Sequence, residues 1–406
     1  MTYIEINWIF NVIKCLLGEQ CSRKLVYELK VREVVKVKVL FLANAVSTHT
    51  VRWVNTLASR GHEVHLVFNN EDSPQDNQIS SSVKMYKLRY SGSKAYYLNA
   101  LELKKIFNKI KPNIVNAHYA SGYGTLARIA RLKPLVLSVW GSDVYDFPYQ
   151  SKFKMKIIRQ NLLYAEQIVS TSNSMANQVK KLLNLKSIHI EITPFGVDVE
   201  KFSRSVKYKS KEKINIGNIK SLNPKYGIPD LVKSIRLLKD NLEKNGRKSI
   251  SNNIKVYIYG DGKQRNEIIK LIKNLDLEST VELKGKILNS EVPIALEQLD
   301  IFCGTSIRES FGVSVVEAMA MEIPVVATDT DGFLEVVNNG NTGLIVKTGN
   351  PLEISKALEK LILDENLRVK MGEKGRARVL ELYDWEKNVD KMVDLYYRIS
   401  NNIPKI

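Results

Sequence analysis

Two glutamates flank a glycine in the second half of the chain, with a spacing that suits binding of a nucleotide sugar. The apolar run at 300–303 leads into Gly-Thr-Ser-Ile-Arg-Glu-Ser-Phe-Gly at 304–312, and a helical pattern follows. Glu309 therefore precedes the predicted helix, and Glu317 lies just over one turn into it. A helix N-terminus offers unpaired N–H groups to phosphate, whereas carboxylates accept hydrogen bonds from sugar hydroxyls. The alternative is a pair of acids that only stabilise the helix dipole.

An alternation of short apolar runs and helical patterns positions these residues. Strands are predicted at 37–43, 62–68, 114–117, 135–139 and 168–171, and again at 214–216, 254–259, 281–284, 300–303 and 324–327. Helices are predicted between them, at 50–60, 125–132, 227–241, 266–275 and from about 312. Such alternation is typical of parallel sheets, which bind ligands beyond the carboxyl ends of their strands. The sequence thus predicts an α/β fold with two doubly wound, Rossmann-like domains facing across a cleft.

The predicted domains are 36–200, an acceptor-side domain, and 201–384, a nucleotide-sugar-binding domain. A lysine-rich stretch at 201–213 supplies the junction, and a last helix in 385–406 is predicted to cross back to the first domain. Residues 1–35 form an extension that lies outside the folded pattern. This extension is read either as an amphipathic surface helix or as a segment ahead of the natural start. It has no signal-peptide pattern and no apolar run long enough to span a bilayer.

The charge of the chain indicates an anionic partner. Its 406 residues are 44% hydrophobic and 26% charged, a globular composition, and the formal net charge is +18. Most of the excess lies in the first 200 residues, in two stretches without acids. Their cations are Lys104, Lys105, Lys109, Lys111, Arg128, Arg131 and Lys133, then Lys152, Lys154, Lys156 and Arg159. These suit an anionic lipid surface, with a solvated basic face as the alternative. No nucleic-acid-binding motif accompanies them.

The three cysteines, Cys15, Cys21 and Cys303, form neither a disulfide framework nor a zinc pattern. A reducing cytoplasm is therefore the expected compartment.

Several motifs in one order resemble the retaining family-four glycosyltransferases of GT-B fold, over residues 37–398. The resemblance is strongest where Glu309-Ser310-Phe311-Gly312 is followed by Glu317-Ala318-Met319-Ala320. The other matching segments are Val51-Arg52-Trp53, His118, Trp140-Gly141-Ser142-Asp143, Pro194–Asp198, Gly217–Gly227, Gly260-Asp261-Gly262, Pro324–Ala327 and Tyr383-Asp384-Trp385.

The resemblance implies roles for individual residues. The expected catalytic residues are His118, which approaches the transferred sugar, and Glu309, which binds its hydroxyls. Glu317 would bind the ribose, and the backbone at Gly312 the diphosphate. The remaining donor-binding residues are Lys220 and Lys225 at the diphosphate, Phe311 and Gly260 in the matching motifs, and Ile287 near the base. His49 and Asp143 are expected on the acceptor side. The alternatives are a plain basic loop for the two lysines and a helix N-cap for Asp143.

Two positions and one loop depart from the family pattern. Lys220 stands where many relatives carry arginine, and a lysine cannot grip two oxygens as a planar fork. The first loop, 44–49, lacks the paired glycines found in many relatives. Asp331 replaces a frequent glycine and creates Asp329-x-Asp331, which imitates the metal-binding D-x-D of the other glycosyltransferase fold. No metal is expected, because the two lysines already supply charge for the phosphates.

The resemblance implies transfer of a sugar from a nucleotide diphosphate sugar, with retention of configuration, to a lipid-linked or polysaccharide acceptor. This would serve cell-surface polysaccharide or glycolipid synthesis, without a cofactor. The enzyme is expected in the cytoplasm, as a soluble protein or a peripheral one on the inner face of the membrane. A nucleotide-sugar epimerase on the same fold is the alternative enzyme. A basic nucleic-acid-binding protein is the alternative from another class.

Overall fold

The computed structural model describes residues 36–74, 78–204 and 213–401. The predicted extension at 1–35, with Cys15 and Cys21, lies outside the described residues, as do 205–212 of the lysine-rich stretch. Cys303 is buried as a free thiol, and burial raises its pKa to about 12.

The first sheet has seven strands in the order β3-β2-β1-β4-β5-β6-β7. The strands are β1 Lys38–Leu42, β2 Glu63–Phe68, β3 Lys84–Lys87, β4 Ile114–His118, β5 Leu135–Val139, β6 Gln167–Ser170 and β7 Ile190–Ile192. β1 pairs in parallel with β2 and β4. Both β1 and β4 are buried along almost their whole length, as expected for apolar runs covered on both faces.

The second sheet has six strands in the order β10-β9-β8-β11-β12-β13. The strands are β8 Ile214–Ile219, β9 Ile254–Tyr259, β10 Val281–Gly285, β11 Ile301–Gly304, β12 Val325–Thr328 and β13 Gly343–Val346. All five neighbouring pairs are parallel. The predicted doubly wound α/β fold is therefore confirmed. The change of sheet falls between β7 and β8, around the predicted junction.

Helices connect the strands. They are α1 Thr48–Ser59, α2 Ala95–Leu98, α3 Ala100–Ile110, α4 Gly124–Ile129, α5 Ser142–Tyr145, α6 Lys152–Tyr164, α7 Asn173–Leu183, α8 Ile228–Lys244, α9 Lys248–Asn252, α10 Arg265–Asn274, α11 Val292–Glu297, α12 Val313–Ala320, α13 Asp331–Val336, α14 Pro351–Leu363, α15 Glu365–Leu382 and α16 Trp385–Ser400. Side-chain caps fix three starts: Ser172 caps α7, Asn350 caps α14 and Asp364 caps α15. Among the described helices, none combines the length and hydropathy that crossing a bilayer requires.

The described residues group into two compact units. The first contains the residues up to Leu137, Leu163–Glu166 and the residues from Val393 onward; the second contains Ser138–Leu162 and Gln167–Met392. The predicted bounds 36–200, 201–384 and 385–406 stay predictions.

Within the first unit, α16 contributes Tyr396, a fully buried side chain whose hydroxyl accepts a hydrogen bond from Asn116 on β4. Within the second, a core of Ile, Leu and Val side chains is packed between the sheet and helices such as α8 and α14. This core holds the strand ends that carry the site.

Candidate active site

The carboxyl edge of the second sheet collects four of the predicted donor-site residues. Lys220 follows β8, Gly260 follows β9, Ile287 follows β10 and Glu309 follows β11. These strands are neighbours in the order β10-β9-β8-β11, and all are parallel, so their carboxyl ends lie along one edge. This is the edge at which open α/β sheets bind ligands.

A close ion pair joins two of these loops. The Lys220 Nζ lies 2.7 Å from Glu309 Oε2, and the two side chains are only 20% and 12% exposed. The Tyr226 ring lies beside the pair, with the Lys220 and Lys225 ammonium nitrogens 4.8 and 4.9 Å from its centroid. Both contacts are within the range of cation–π attraction. The loops thus hold two cations and one carboxylate close to a single aromatic ring.

The position of Lys220 is set by its backbone, which packs tightly against Gly260. The Lys220 N–H donates to the carbonyl of Tyr259, at 2.9 Å. Gly260 has φ +144°, and a Cβ there would stand 2.0 Å from the Lys220 carbonyl oxygen. Only glycine fits this approach of two backbones, so Gly260 acts by positioning Lys220.

Glu309 is held from the other side by the first turn of α13, the helix that follows β12. The Gly332 N–H donates to the Glu309 carbonyl oxygen at 3.0 Å. Gly312, the N-cap of α12, has φ +96°, and a Cβ there would stand 2.7 Å from the Phe333 ring. The backbone therefore turns sharply at the start of α12. This helix begins at Val313, close to the predicted start at about 312, and Glu317 lies half-buried inside it.

Phe311 is packed among other aromatic side chains. Its side chain is buried, and its ring makes edge-to-face contacts with Phe195 at 6.1 Å and Tyr383 at 5.5 Å between centroids. Trp140 extends this aromatic chain by contacting Phe195 at 5.4 Å. Such pairs stabilise beyond their buried area, so Phe311 fixes the loop that carries Glu309.

His118 and His49 belong to the first unit. His118 ends β4 and is 2% exposed, with the Phe41 ring 5.3 Å away in an edge contact. Burial, and next the charge of His49 in the first turn of α1, lower the His118 pKa to about 3. The imidazole is therefore neutral near pH 7. In that state it can hold a substrate hydroxyl by a hydrogen bond, but it cannot act there as a cationic acid.

Asp143 is buried in the first turn of α5, as the second residue of that helix. One of its carboxylate oxygens accepts the N–H groups of Trp140 at 3.2 Å and Gly141 at 2.9 Å. These contacts shape the loop, in the manner of a residue that caps a helix start. The acceptor-side role of Asp143 stays a prediction.

The two aspartates of the D-x-D imitation are used differently. Asp329 is paired with Lys347 at 2.8 Å and accepts the N–H and hydroxyl of Thr348. Lys347 first, and Thr348 next, lower the Asp329 pKa to about 2. Asp331 begins α13 and is exposed. Among the described residues, no three His, Cys, Asp or Glu side chains converge as a metal site would require.

Two residues of this region were not predicted from the sequence. Tyr226, between Lys225 and Gly227, is an aromatic residue in a basic loop, which is a weak signal. Glu335 accepts three hydrogen bonds from the first turn of α7, two from Asn173 and one from the Ser174 N–H, at 2.8–3.0 Å. No sequence pattern links Glu335 to α7, because 162 positions separate it from Asn173.

The fold is that of a GT-B glycosyltransferase. Sucrose-phosphate synthase from Thermosynechococcus elongatus superposes with a TM-score of 0.75, covering 90% of this chain and 99% of that one, at 16% sequence identity.

Two family models match the sequence: "Glycosyl transferases group 1" over 199–378 and "Glycosyl transferase 4-like" over 38–172. The chain therefore belongs to the group 1 glycosyltransferases of family four, as the sequence motifs implied.

Two relatives match most of the chain. The N-acetyl-alpha-D-glucosaminyl L-malate synthase of Bacillus anthracis is 24% identical over 84% of this chain and 91% of its own length. The capsular polysaccharide biosynthesis glycosyltransferase CapM of Staphylococcus aureus is 27% identical over 86% and 93%.

Proposed function

We propose that this glycosyltransferase moves a sugar from a nucleoside diphosphate sugar to a lipid-linked or polysaccharide acceptor, with retention of the anomeric configuration. The product would enter a cell-surface polysaccharide or glycolipid. The name of the CapM relative, a capsular polysaccharide glycosyltransferase, supports such an acceptor. The name of the other relative, an N-acetyl-alpha-D-glucosaminyl L-malate synthase, indicates a small hydroxy acid instead, so L-malate is the competing acceptor to be tested. The reaction would take place in the cytoplasm, at the inner face of the membrane, to which the basic first 200 residues are suited.

The Lys220–Glu309 pair carries the proposal. Its two partners match the two ends of a sugar diphosphate, because an ammonium attracts phosphate and a carboxylate accepts hydrogen bonds from sugar hydroxyls. A bound donor would draw Lys220 towards the diphosphate and leave Glu309 to the sugar. Lys225 would add a second cation, the backbone at Gly312 would face the phosphate, and Glu317 would bind the ribose.

The chemical step balances without a cofactor. The bond between the anomeric carbon and the phosphate oxygen breaks, and the acceptor hydroxyl oxygen bonds to that carbon on the same face. The hydroxyl proton passes to the departing phosphate oxygen. Lys220 and Lys225 would stabilise the charge that develops on the diphosphate, which is the kind of stabilisation that contributes most to catalysis. Neutral His118 would orient a hydroxyl of the transferred sugar.

Thermal unfolding tests the donor site. The melting temperature is measured with UDP, GDP, ADP and CMP for the wild type, for Glu317→Ala, and for Glu373→Ala as a control at an exposed acid of α15. One nucleoside diphosphate should stabilise the wild type and the control by about 2.7 kcal/mol at a concentration of 100 Kd, and should stabilise Glu317→Ala less.

A transfer assay with the matching donor then identifies the acceptor and the anomeric configuration of the product by NMR. Stabilisation by none of the nucleotides, or an inverted anomeric configuration in the product, would contradict the proposal.

A further inference from the structure

A groove of about 370 Å³ lies between α7 and α13, both in the second unit. Its walls are Asn177 and Lys181 on α7, Asp331 and Leu334 on α13, and Tyr145 of α5. The volume falls at the lower end of the range for small-molecule sites, about 300–1,000 Å³. No residue of this groove is among the predicted donor or acceptor residues.

Three polar side chains of the groove are available to a ligand. In the part of the chain that the structure describes, the side chains of Asn177, Lys181 and Asp331 have no hydrogen-bond or ion-pair partner, and all three are exposed. Asn177 and Lys181 are four residues apart, so they share one face of α7. Other polar groups of the groove are already used. Glu335 caps α7, and the amide of Gln178 donates to Val144 O and Tyr149 Oη.

The lining selects a neutral ligand with many hydroxyls. A phosphate would meet the carboxylates of Asp331 and Glu335, and a cation would meet Lys181. An apolar ligand would bury the amide and the charges without partners, which is costly. Amide, ammonium and carboxylate groups together can both donate to and accept from hydroxyls, and Leu334 and Tyr145 offer apolar surface to a sugar ring.

The groove is connected to Glu309 through one short backbone segment. Asp331 is followed by Gly332, whose N–H donates to the Glu309 carbonyl oxygen at 3.0 Å. On the other wall, Ser172, the N-cap of α7, donates its hydroxyl to the Ser310 carbonyl oxygen at 3.1 Å. A ligand in the groove would therefore lie next to the loop that is expected to hold the transferred sugar.

We propose that this groove binds a saccharide unit of the acceptor, one that lies away from the reacting hydroxyl. The inference rests on the proposed transfer to a saccharide acceptor and specifies where a second sugar ring of that acceptor is recognised. Asp331, Asn177 and Lys181 are its hydrogen-bonding residues and determine the preference for a longer acceptor.

The test compares two double variants with the same substitutions at the same helical spacing. Asn177→Ala/Lys181→Ala removes one wall of the groove. Asn266→Ala/Lys270→Ala is the matched control on the exposed face of α10. Saturation-transfer NMR measures binding of octyl mono- and disaccharides of glucose, galactose and N-acetylglucosamine to the full chain, with UDP and GDP present. Melting temperatures verify that both variants are folded.

A disaccharide should bind the wild type and the control about ten-fold more tightly than its monosaccharide, because its second ring adds hydrogen bonds, some of them to charged groups. The groove variant should lose this advantage while its binding of the monosaccharide is unchanged. Equal affinity of the groove variant and wild type for every disaccharide, or no disaccharide binding to the wild type, would overturn the inference. Disaccharide binding that depends on the groove, without any transfer activity, would instead refute the proposed function alone.

Discussion

Removing one charge of the Lys220–Glu309 pair should change the affinity for a nucleoside diphosphate. Loss of the Glu309 charge should raise this affinity, and loss of the Lys220 charge should lower it. At an effective dielectric constant of about 20, unit charges about 4 Å apart attract by about 4 kcal/mol. Their contact is at 2.7 Å with both side chains mostly buried, so desolvation offsets part of this attraction. We take about 1–2 kcal/mol as the net free energy that a diphosphate must replace when it draws Lys220 away.

Glu309→Gln keeps the shape of the side chain and removes its charge. The free Lys220 should then bind a nucleoside diphosphate more tightly, by roughly 5- to 30-fold for 1–2 kcal/mol. Turnover should fall by about 10²-fold or more, because hydrogen bonds to sugar hydroxyls that strengthen in the transition state are lost. Lys220→Met should weaken nucleotide binding by roughly 10-fold or more, the worth of a hydrogen bond to a charged group, and should also slow transfer.

Isothermal titration of each variant with the nucleoside diphosphate that stabilises the wild type measures the affinities, and product formation from the matching donor measures turnover. Lys360→Met, at a remote position on α14, is the control for loss of a lysine charge. If Glu309→Gln weakened nucleotide binding as much as Lys220→Met does, the carboxylate would itself belong to the diphosphate site. The assignment of Lys220 to the diphosphate and Glu309 to the sugar would then be refuted.

Three further predictions concern individual positions. Gly260→Ala should lower the free energy of unfolding by about 3 kcal/mol or more in urea denaturation, since its Cβ would stand 2.0 Å from the Lys220 carbonyl oxygen; an unchanged midpoint would exclude this close approach. Glu335→Gln should cost about 1–2 kcal/mol by weakening the cap of α7, measured as a fall in melting temperature relative to wild type, and a neutral effect would contradict the capping role. The pKa of His118 is lowered to about 3 in the folded state, so only the unfolded state takes up a proton at this histidine as the pH falls below about 6.5. The free energy of unfolding should therefore have its full value above pH 6.5 and decrease below that pH. His118→Gln should flatten this decrease in urea denaturation between pH 7 and 5, and parallel curves for variant and wild type would refute the buried neutral state.

Much of the fold could be predicted because the central strands are buried on both faces. β5 and β9 have the predicted bounds, β1 is one residue shorter than predicted at each end, and β4 is one residue longer. Their short segments, rich in Val, Ile and Leu, give a clear signal. β3 was missed because it lies at the edge of its sheet with three of its four residues exposed, so its sequence, Lys-Met-Tyr-Lys, lacks an apolar run.

The residues of the candidate site could be predicted from the sequence, but the contacts between them could not. The sequence placed Lys220 and Glu309 in separate loops, and nothing in their spacing predicted that they would form an ion pair. That contact depends on the register of β8 beside β11, which is a tertiary property. The burial of His118 likewise follows from packing around β4, so its lowered pKa had no sequence signal.

The order in which the chain is synthesised has a consequence for the first unit. Tyr396, which bonds to Asn116 on β4, emerges from the ribosome after the whole second unit. Domains usually fold as they emerge, N-terminal ones first. Here the site in the first unit that buries Tyr396 is filled only after translation of the whole second unit. A nonsense codon shortly before position 393 would therefore destabilise the first unit, which is encoded mainly at the other end of the gene. An unfinished nascent chain would carry an exposed apolar surface that chaperones recognise.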